Sequence, residues 1–402
     1  MAEAPRESWI TGVGIVSCLG EGREAHWARL NEPPPRPDTE LFAPYPVHRI
    51  GPLDLDRQVP KKGDQRQMET WQRTGTYTAG LALDDAGVKG QAEILARMDM
   101  IVAAGGGERD QAVDTAILAG LPKAEQPGAF LNERLMNDLR PTLFLAQLSN
   151  LLAGNISIVH GVTGSSRTFM GEEAAGVDAV RIAQSRIAAD QSRIALTGGA
   201  YNAENFEVIL HNAMGDALWQ GEPKGVWERA ANGGGMAIGS IGAFLVIEEK
   251  QHALARGAKP LARLRAVRSE RARRSGGGTI AAALAQAWSG IEGQLDPRGL
   301  AVISGSTGCV PASAEERSFL ASHPDIPVRA TGTHLGHGME PQFAMNVALA
   351  AIALSKGRLF ASFDTSGAER AMDEPLRQVV VTGVGHWRGE GLALLEAVHD
   401  GD

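Results

Sequence analysis

The 402-residue sequence predicts an α/β protein built from two similar halves. Three observations carry this. Short apolar runs that end in glycine alternate with longer segments of helical periodicity. A unit of strand, buried helix and glycine-terminated strand occurs in the first half and again in the second. Glycine is abundant, at 49 residues, and aromatic residues are only 5%, which suits a chain of many tight turns.

The elements follow in order. Trp9 to Ile15 reads as a short strand ending in a glycine turn, and Glu24 to Leu30 as a helix. Asn31 to Lys62 carries many prolines and little periodicity, so a surface loop is expected. Met68 to Ala86 has helical spacing and stops at Gly87, a glycine C-cap. Met98 to Ala104 is a buried strand running into Gly105-Gly-Gly107, and Glu108 to Leu139 reads as an excursion from the core. Pro141 to Gly154 is expected to be a Leu-rich helix. Helix Glu172 to Arg186 leads to strand Ser192 to Thr197, closed by Gly198-Gly199. In the second half, Gly299 to Ser304 is a strand, Phe343 to Leu354 a buried helix and Arg377 to Thr382 a strand. Val381-Thr-Gly-Val-Gly385 resembles both Ile10-Thr-Gly-Val-Gly14 and Leu196-Thr-Gly-Gly199. The halves are taken as 1–255, with an insertion at about 105–140, and 256–402. The boundary falls in the stretch Glu249 to Ser275.

Composition removes several classes of function. A hydrophobic content of 43% with 21% charged residues is that of a soluble globular chain. A net charge of −8 argues against nucleic acid as the main partner. Cys18 and Cys309 are the two cysteines, which excludes a disulfide framework and points to a reducing cytoplasm. The N-terminus is charged and polar, unlike a signal peptide, and the apolar run Val347 to Leu354 is too short to span a bilayer. No His, Cys or Asp cluster has metal-ligand spacing. Thr11 to Gly14 and Gly383 to Gly391 do not fit a dinucleotide fingerprint, and Gly164 to Thr168 lacks the second glycine of a hydrolase elbow. The basic run Arg268, Arg271, Arg273 and Arg274 reads as a solvated loop, with docking of an acidic carrier protein as the alternative.

One stretch bears on chemistry directly. Gly171-Glu-Glu-Ala-Ala-Gly176 is a small-residue turn entering an amphipathic segment, so it places a side chain at a helix N-terminus. Such a position activates a nucleophile, yet here it holds a carboxylate.

Several segments, in one colinear order, resemble the β-ketoacyl-acyl carrier protein synthases. They are Ile10 to Gly20, Gln72 to Gly87 with its Leu83-Asp-Asp-Ala-Gly87 end, Asn150 to Gly161, and Gly239 to Glu249 followed by His252 to Lys259. The resemblance implies the thiolase fold, five layers α-β-α-β-α from two duplicated halves, assembled as dimers. Helix Pro141 to Leu152 and the strand after it are the candidate interface. It also implies Claisen condensation, with a Cys nucleophile, two His, a Lys and an oxyanion hole. No cofactor is implied, because acyl and malonyl groups arrive on acyl carrier protein phosphopantetheine. Matched residue by residue, the nucleophile position falls on Glu173, the first His on Ser306, the Lys on Gly332 and the second His on His337. His334 is the alternative if the register slips by three. The glycine-rich loop with the gating residue falls on Gly383 to Gly389, placing His386 at the gate between Gly385 and the following turn.

Three of the four catalytic positions are therefore replaced, and full condensation by this chain alone is not expected. Glu172 to Ala179 resembles the Glu-Gln-Ala-Gly-Gly-Leu-Asp-Ala run of chain-length factors, the inactive ketosynthase-like partners of type II polyketide synthases. Val310-Pro311 and Glu340-Pro341 also resemble that branch. The departure is Glu173 in place of Gln. The expected role is a non-condensing subunit of fatty acid or polyketide synthesis that binds acyl carrier protein and acts beside an active ketosynthase. Glu173 is read as a plug filling a dead pocket. The alternatives are malonyl carrier protein decarboxylation through His337 and Glu173, and a non-catalytic acyl-binding homodimer. Cys309 as a displaced nucleophile is disfavoured, since no His adjoins it in sequence.

Overall fold

The computed structural model describes residues 5–140, 143, 147–274 and 276–398. Two-residue strands aside, the described residues of the first half supply five strands: β1 (Ser8–Ser17), β2 (Asp99–Ala103), β3 (Ser166–Phe169), β4 (Ile194–Tyr201) and β5 (Ile241–Glu249). They lie side by side in the order β3-β2-β4-β5-β1. β2 is parallel to β3 and β4, and the remaining pairs are antiparallel. The second half repeats this with β6 (Ala262–Glu270), β7 (Leu300–Ser304), β8 (Val328–Ala330), β9 (Gln378–Val384) and β10 (Glu390–Glu396). Their order is β8-β7-β9-β10-β6, with the same sequence of parallel and antiparallel pairs. Ser8–Ile10 of β1 runs antiparallel to Ala262–Leu264 of β6 and joins the two sets.

Six helices complete the repeat: α1 (Thr70–Asp85), α2 (Leu151–His160), α3 (Glu172–Ala188), α4 (Thr279–Ser289), α5 (Ala312–Ala321) and α6 (Gln342–Ser355). α3 and α6 pack on each other and on strands of both halves. α1 and α2 cover the first set of strands, while α4 and α5 cover the second. The result is five layers, α-β-α-β-α, with α3 and α6 in the middle. The sequence explains that position. Every residue of α6 from Gln342 to Leu354 is buried, as a helix apolar on all sides requires.

The structure alters some expectations. Of the predicted helix Pro141 to Gly154, residues 141, 142 and 144–146 lie outside the described residues, and with them much of the candidate dimer interface. The described helix here is α2, which ends at Gly161 in a left-handed turn with φ of 78°. Gly198 and Gly199 do not close β4 but lie within it. A Cβ on Gly198 would sit 2.0 Å from the Ala243 carbonyl oxygen of β5, so only glycine lets the strands pair there. β10 was not predicted, because its glycine-rich approach reads as loop; that approach is the turn of a β9–β10 hairpin. Topology also sorts the repeated motif. β9 corresponds to β4, so Val381-Thr-Gly383 matches Leu196-Thr-Gly198, whereas Ile10-Thr-Gly12 belongs to a strand in a different position. The excursion forms helices Gln111–Gly120 and Pro127–Asn137, whose side chains are mostly exposed.

The outer layer sits close to β1 because of two glycines. A Cβ on Gly14 would lie 2.1 Å from the Thr78 carbonyl oxygen and 2.5 Å from the Ala82 nitrogen of α1. Gly14→Ala is expected to destabilise the fold by about 1–3 kcal/mol, as overpacking does. Gly51→Ala meets nothing within 4 Å and should be near neutral. Denaturant midpoints of the two variants check this, and equal midpoints would contradict it.

Candidate active site

The site is built around the start of α3. Gly171 has φ of 129° and Glu172 has φ of 53°, so the chain turns sharply before the helix begins. The turn directs Glu173 into the interior, in the positive end of the helix dipole. Its Oε1 accepts a hydrogen bond from His337 Nε2 at 2.8 Å and another from the His386 backbone N–H at 3.3 Å. Burial opposes the charge on this carboxyl. The hydrogen bond and charge of His337, with the backbone N–H groups of Glu173 and His386, outweigh it and hold the group below its ordinary value of 4.5. An ionised carboxylate fully enclosed by protein thus persists on three converging donors.

Each donor is held by its own segment. His337 is fixed through its backbone, which bonds the Ala237 carbonyl and the Gly239 N–H. His334 lies elsewhere. Its Nε2 faces the Glu32 carbonyl at 3.2 Å, and its ring is edge-on to Phe363. His337 is therefore the histidine that meets Glu173. His386 sits in the β9–β10 turn, closed by the Gly385 N–H on the Gly389 carbonyl at 2.8 Å. Gly389, with φ of 86°, lets this turn press on α3, since a Cβ would lie 2.5 Å from that of Ala174. Burial holds the His386 imidazole below its ordinary value, with Glu173 pulling it up and His337 and Arg274 pushing it down.

Ser306 and Gly332 form a second group. A Cβ on Gly332 would lie 3.1 Å from the Ser306 carbonyl oxygen and 3.0 Å from Val226, so the two positions touch. Neither is hydrogen-bonded to Glu173 or His337. The loop bearing Ser306 is tied down by the buried Arg229, whose guanidinium donates to the carbonyls of Thr307, Gly235 and Lys224. Beside it lies a residue the sequence reading missed. Glu316 is wholly buried and accepts from Ser304 Oγ at 2.9 Å and from Thr382 Oγ1. Burial pushes its carboxyl up, against hydrogen bonds from Thr382, Ser304 and Ser306. The signal was available, because Glu316 shares the apolar stripe of α5 with Ala312, Phe319 and Leu320.

Cys309 does not join either group. Its Sγ contacts the Ala217 carbonyl at 3.1 Å, and burial pushes the thiol up to about 11. Cys18 is pushed up to about 12, also by burial. Neither is a thiolate near neutral pH. The basic run is not a solvated loop throughout. Arg268 lies on β6, Arg271 pairs with Asp178 at 3.2 Å, and Arg274 pairs with the fully buried Glu390 at 2.5 Å and bonds the Gly385 carbonyl at 2.7 Å. Arg274 thereby braces the turn that carries His386.

A cavity of about 560 Å³ opens beside the start of α3. Glu172, Glu340, Met339, Trp387, Tyr201 and Gly105 to Glu108 are among the residues that line it. Glu340 is buried, and burial together with the charges of Glu173 and Glu172 raises its carboxyl to about 7, against its own backbone N–H. Among the described residues no group of three or more His, Cys, Asp or Glu side chains is arranged to hold a metal ion. Among them, too, no helix is long and apolar enough to cross a membrane.

Residues 9–253 match the family model of the β-ketoacyl synthase N-terminal domain. The chain belongs to the β-ketoacyl synthase family. The 3-oxoacyl-acyl-carrier-protein synthase 2 of Vibrio harveyi is 26% identical over 266 residues, which cover 63% of this chain and 60% of that protein. The chain therefore spans less than two thirds of this curated relative. Among solved structures, the ishigamide ketosynthase/chain length factor superposes with a TM-score of 0.76 at 20% identity. It is covered in full, with 98% of this chain. A type II polyketide synthase acyl-carrier protein in complex with its ketosynthase gives 0.74 at 16% identity, again over 98% of this chain and 100% of that one. These likenesses establish the thiolase fold of this β-ketoacyl synthase relative.

Two carboxylates give opposite pH signatures. Glu173 is held below 4.5, so its contribution to stability is present above that value and is lost as pH falls through its folded pKa. Glu340 is raised from 4.5 to about 7, so its contribution is full below 4.5 and is lost as pH rises towards 7. Glu340→Gln should flatten the fall in Tm between pH 4.5 and about pH 7, and an unchanged slope would refute the assignment. Glu173→Ala strands His337 and two backbone donors, and should cost about 3 kcal/mol, with Glu173→Gln costing less. Unfolding midpoints of the pair measure the order.

Proposed function

We propose that this chain is a non-condensing, ketosynthase-like subunit of a type II fatty acid or polyketide system, working beside an active, Cys-bearing ketosynthase and helping to set chain length. One observation carries the reading. The Glu173 carboxylate occupies the His337 N–H and the backbone N–H groups at the start of α3 and at His386. A condensing enzyme needs a nucleophile at this turn and free donors for a developing oxyanion. Here an internal anion fills the position of both. Ser306 and Gly332, at the remaining catalytic positions, supply neither an imidazole nor an ammonium. The fold shared with the ketosynthase/chain length factor supports the same reading, and acyl carrier protein is the proposed carrier of the chain.

The decarboxylase alternative asks His337 to donate to a substrate. That proton is already committed to Glu173, so the reading gains no support from the geometry.

The test is co-expression with a Cys-containing ketosynthase encoded nearby. Co-purification as a defined complex is expected, and Glu173→Gln should preserve it, since the amide retains an acceptor oxygen for His337. Product length should change when the chain is exchanged for another of its kind. The isolated protein should release no carbon dioxide from malonyl carrier protein. Turnover that disappears in His337→Ala would replace the proposal with decarboxylation, and a stable homodimer without either property would leave a non-catalytic binding protein.

A further inference from the structure

The exposed lining of the cavity beside α3 is mostly apolar, with Leu210, Met214, Met339 and Trp387 among its walls. Its acidic groups are already provided for. Glu108 accepts from Asn202 at 2.9 Å, Glu207 from the Arg109 backbone at 3.2 Å and Glu340 from its own backbone N–H, while Glu172 lies 3.5 Å from Arg388. Two of its amides are spent as well. Asn202 Nδ2 donates to Glu108, and Asn212 Nδ2 donates to the Val208 carbonyl at 2.8 Å.

Two donors remain. Trp71, in the first turn of α1, lines the cavity and is 4% exposed. Its indole Nε1–H is buried with no acceptor among the described residues. The Trp71 backbone N–H donates to Glu108, which anchors the residue at the cavity wall. Asn205 lines the same cavity. Its Oδ1 accepts from the Glu207 N–H at 2.8 Å and from Gln111 Nε2 at 3.1 Å, and among the described residues its Nδ2 donates to no protein group. A buried N–H without an acceptor is costly, and an oxygen brought in by a ligand relieves the cost. A saturated chain packs on the apolar walls but covers the indole N–H and leaves it unpaired. A chain that carries carbonyl oxygens packs on the same walls and supplies an acceptor. A pocket with donors placed in this way discriminates against the analogue that lacks the oxygen.

We propose that this cavity selects a chain bearing carbonyl oxygens over a saturated chain of the same length, with Trp71 Nε1–H and Asn205 Nδ2–H as the selecting donors. The inference rests on the preceding section for the idea that the cavity receives an acyl chain. It does not depend on a partner subunit.

The test is calorimetric titration of the full-length protein with the β-oxooctanoyl and octanoyl thioesters of N-acetylcysteamine, which differ by one keto oxygen. The oxo thioester should bind about tenfold more tightly, the size of one buried donor satisfied. Trp71→Phe keeps an aromatic ring and removes the N–H. It should cut the preference to about threefold or less and leave the octanoyl affinity unchanged. Asn205→Asp keeps the Oδ1 acceptor, removes the amide donor and should act in the same direction. Should Trp71→Phe not fold, proton spectra of the unaltered protein give the answer: one indole N–H resonance should move with the oxo thioester and stay in place with octanoyl. Equal binding of the two thioesters overturns the proposal, as does an oxo preference that survives both substitutions or a protein that binds neither. A protein that binds neither yet co-purifies with a ketosynthase loses this proposal and keeps the preceding one. A protein that selects the oxo chain but forms no such complex does the reverse.

Discussion

The constraint on which the site depends is the seat of α3. Its first turns are pressed against the C-terminal hairpin, and three glycines make this contact possible. A Cβ on Gly389 would strike Ala174, and one on Gly383 or Gly391 would strike Val177. With the helix seated, residues 171–173, 337 and 386 converge, although they lie far apart in sequence. The helix belongs to the first half of the chain, while the hairpin and the His337 loop belong to the second. Two of the three donors around Glu173, His337 and the His386 N–H, are therefore in place only when the two halves are packed together.

The two central carboxylates show how donor supply decides charge inside a protein. Glu173 and Glu340 are both almost fully buried, so desolvation raises both. Glu173 receives an imidazole and two backbone N–H groups and stays ionised. Glu340 receives its own backbone N–H and also feels the negative charge of its neighbour. The same burial thus yields a fixed anion in one place and a carboxyl poised near neutrality in the other.

Much of this was legible in the sequence, and the failures have physical causes. The β-α-β rhythm, the Ala-rich α6 and the carboxylate at Glu173 could all be read from periodicity and turn residues. His337 was reached through the family resemblance, and the structure places its ring 2.8 Å from Glu173. β10 and the interior position of Gly198 could not be read this way, because glycine marks both a turn and a close approach of two strands, and sequence alone does not separate them. Glu316 escaped because a charged residue on an apolar stripe is usually placed outside. Arg274 was read as solvent-exposed, since its partner Glu390 lies 116 positions away in the chain.

The turn at Gly171 and Glu172 has a further meaning. A left-handed conformation at a non-glycine residue such as Glu172 carries strain, typically about 1 kcal/mol or more. Reactive turns tolerate that strain because it aims a nucleophile. Here the side chain it aims inward is the Glu173 carboxylate, toward His337 and the His386 N–H. The turn acts as a mould: the main chain fixes the direction, and the side chain at position 173 is cast inward by it.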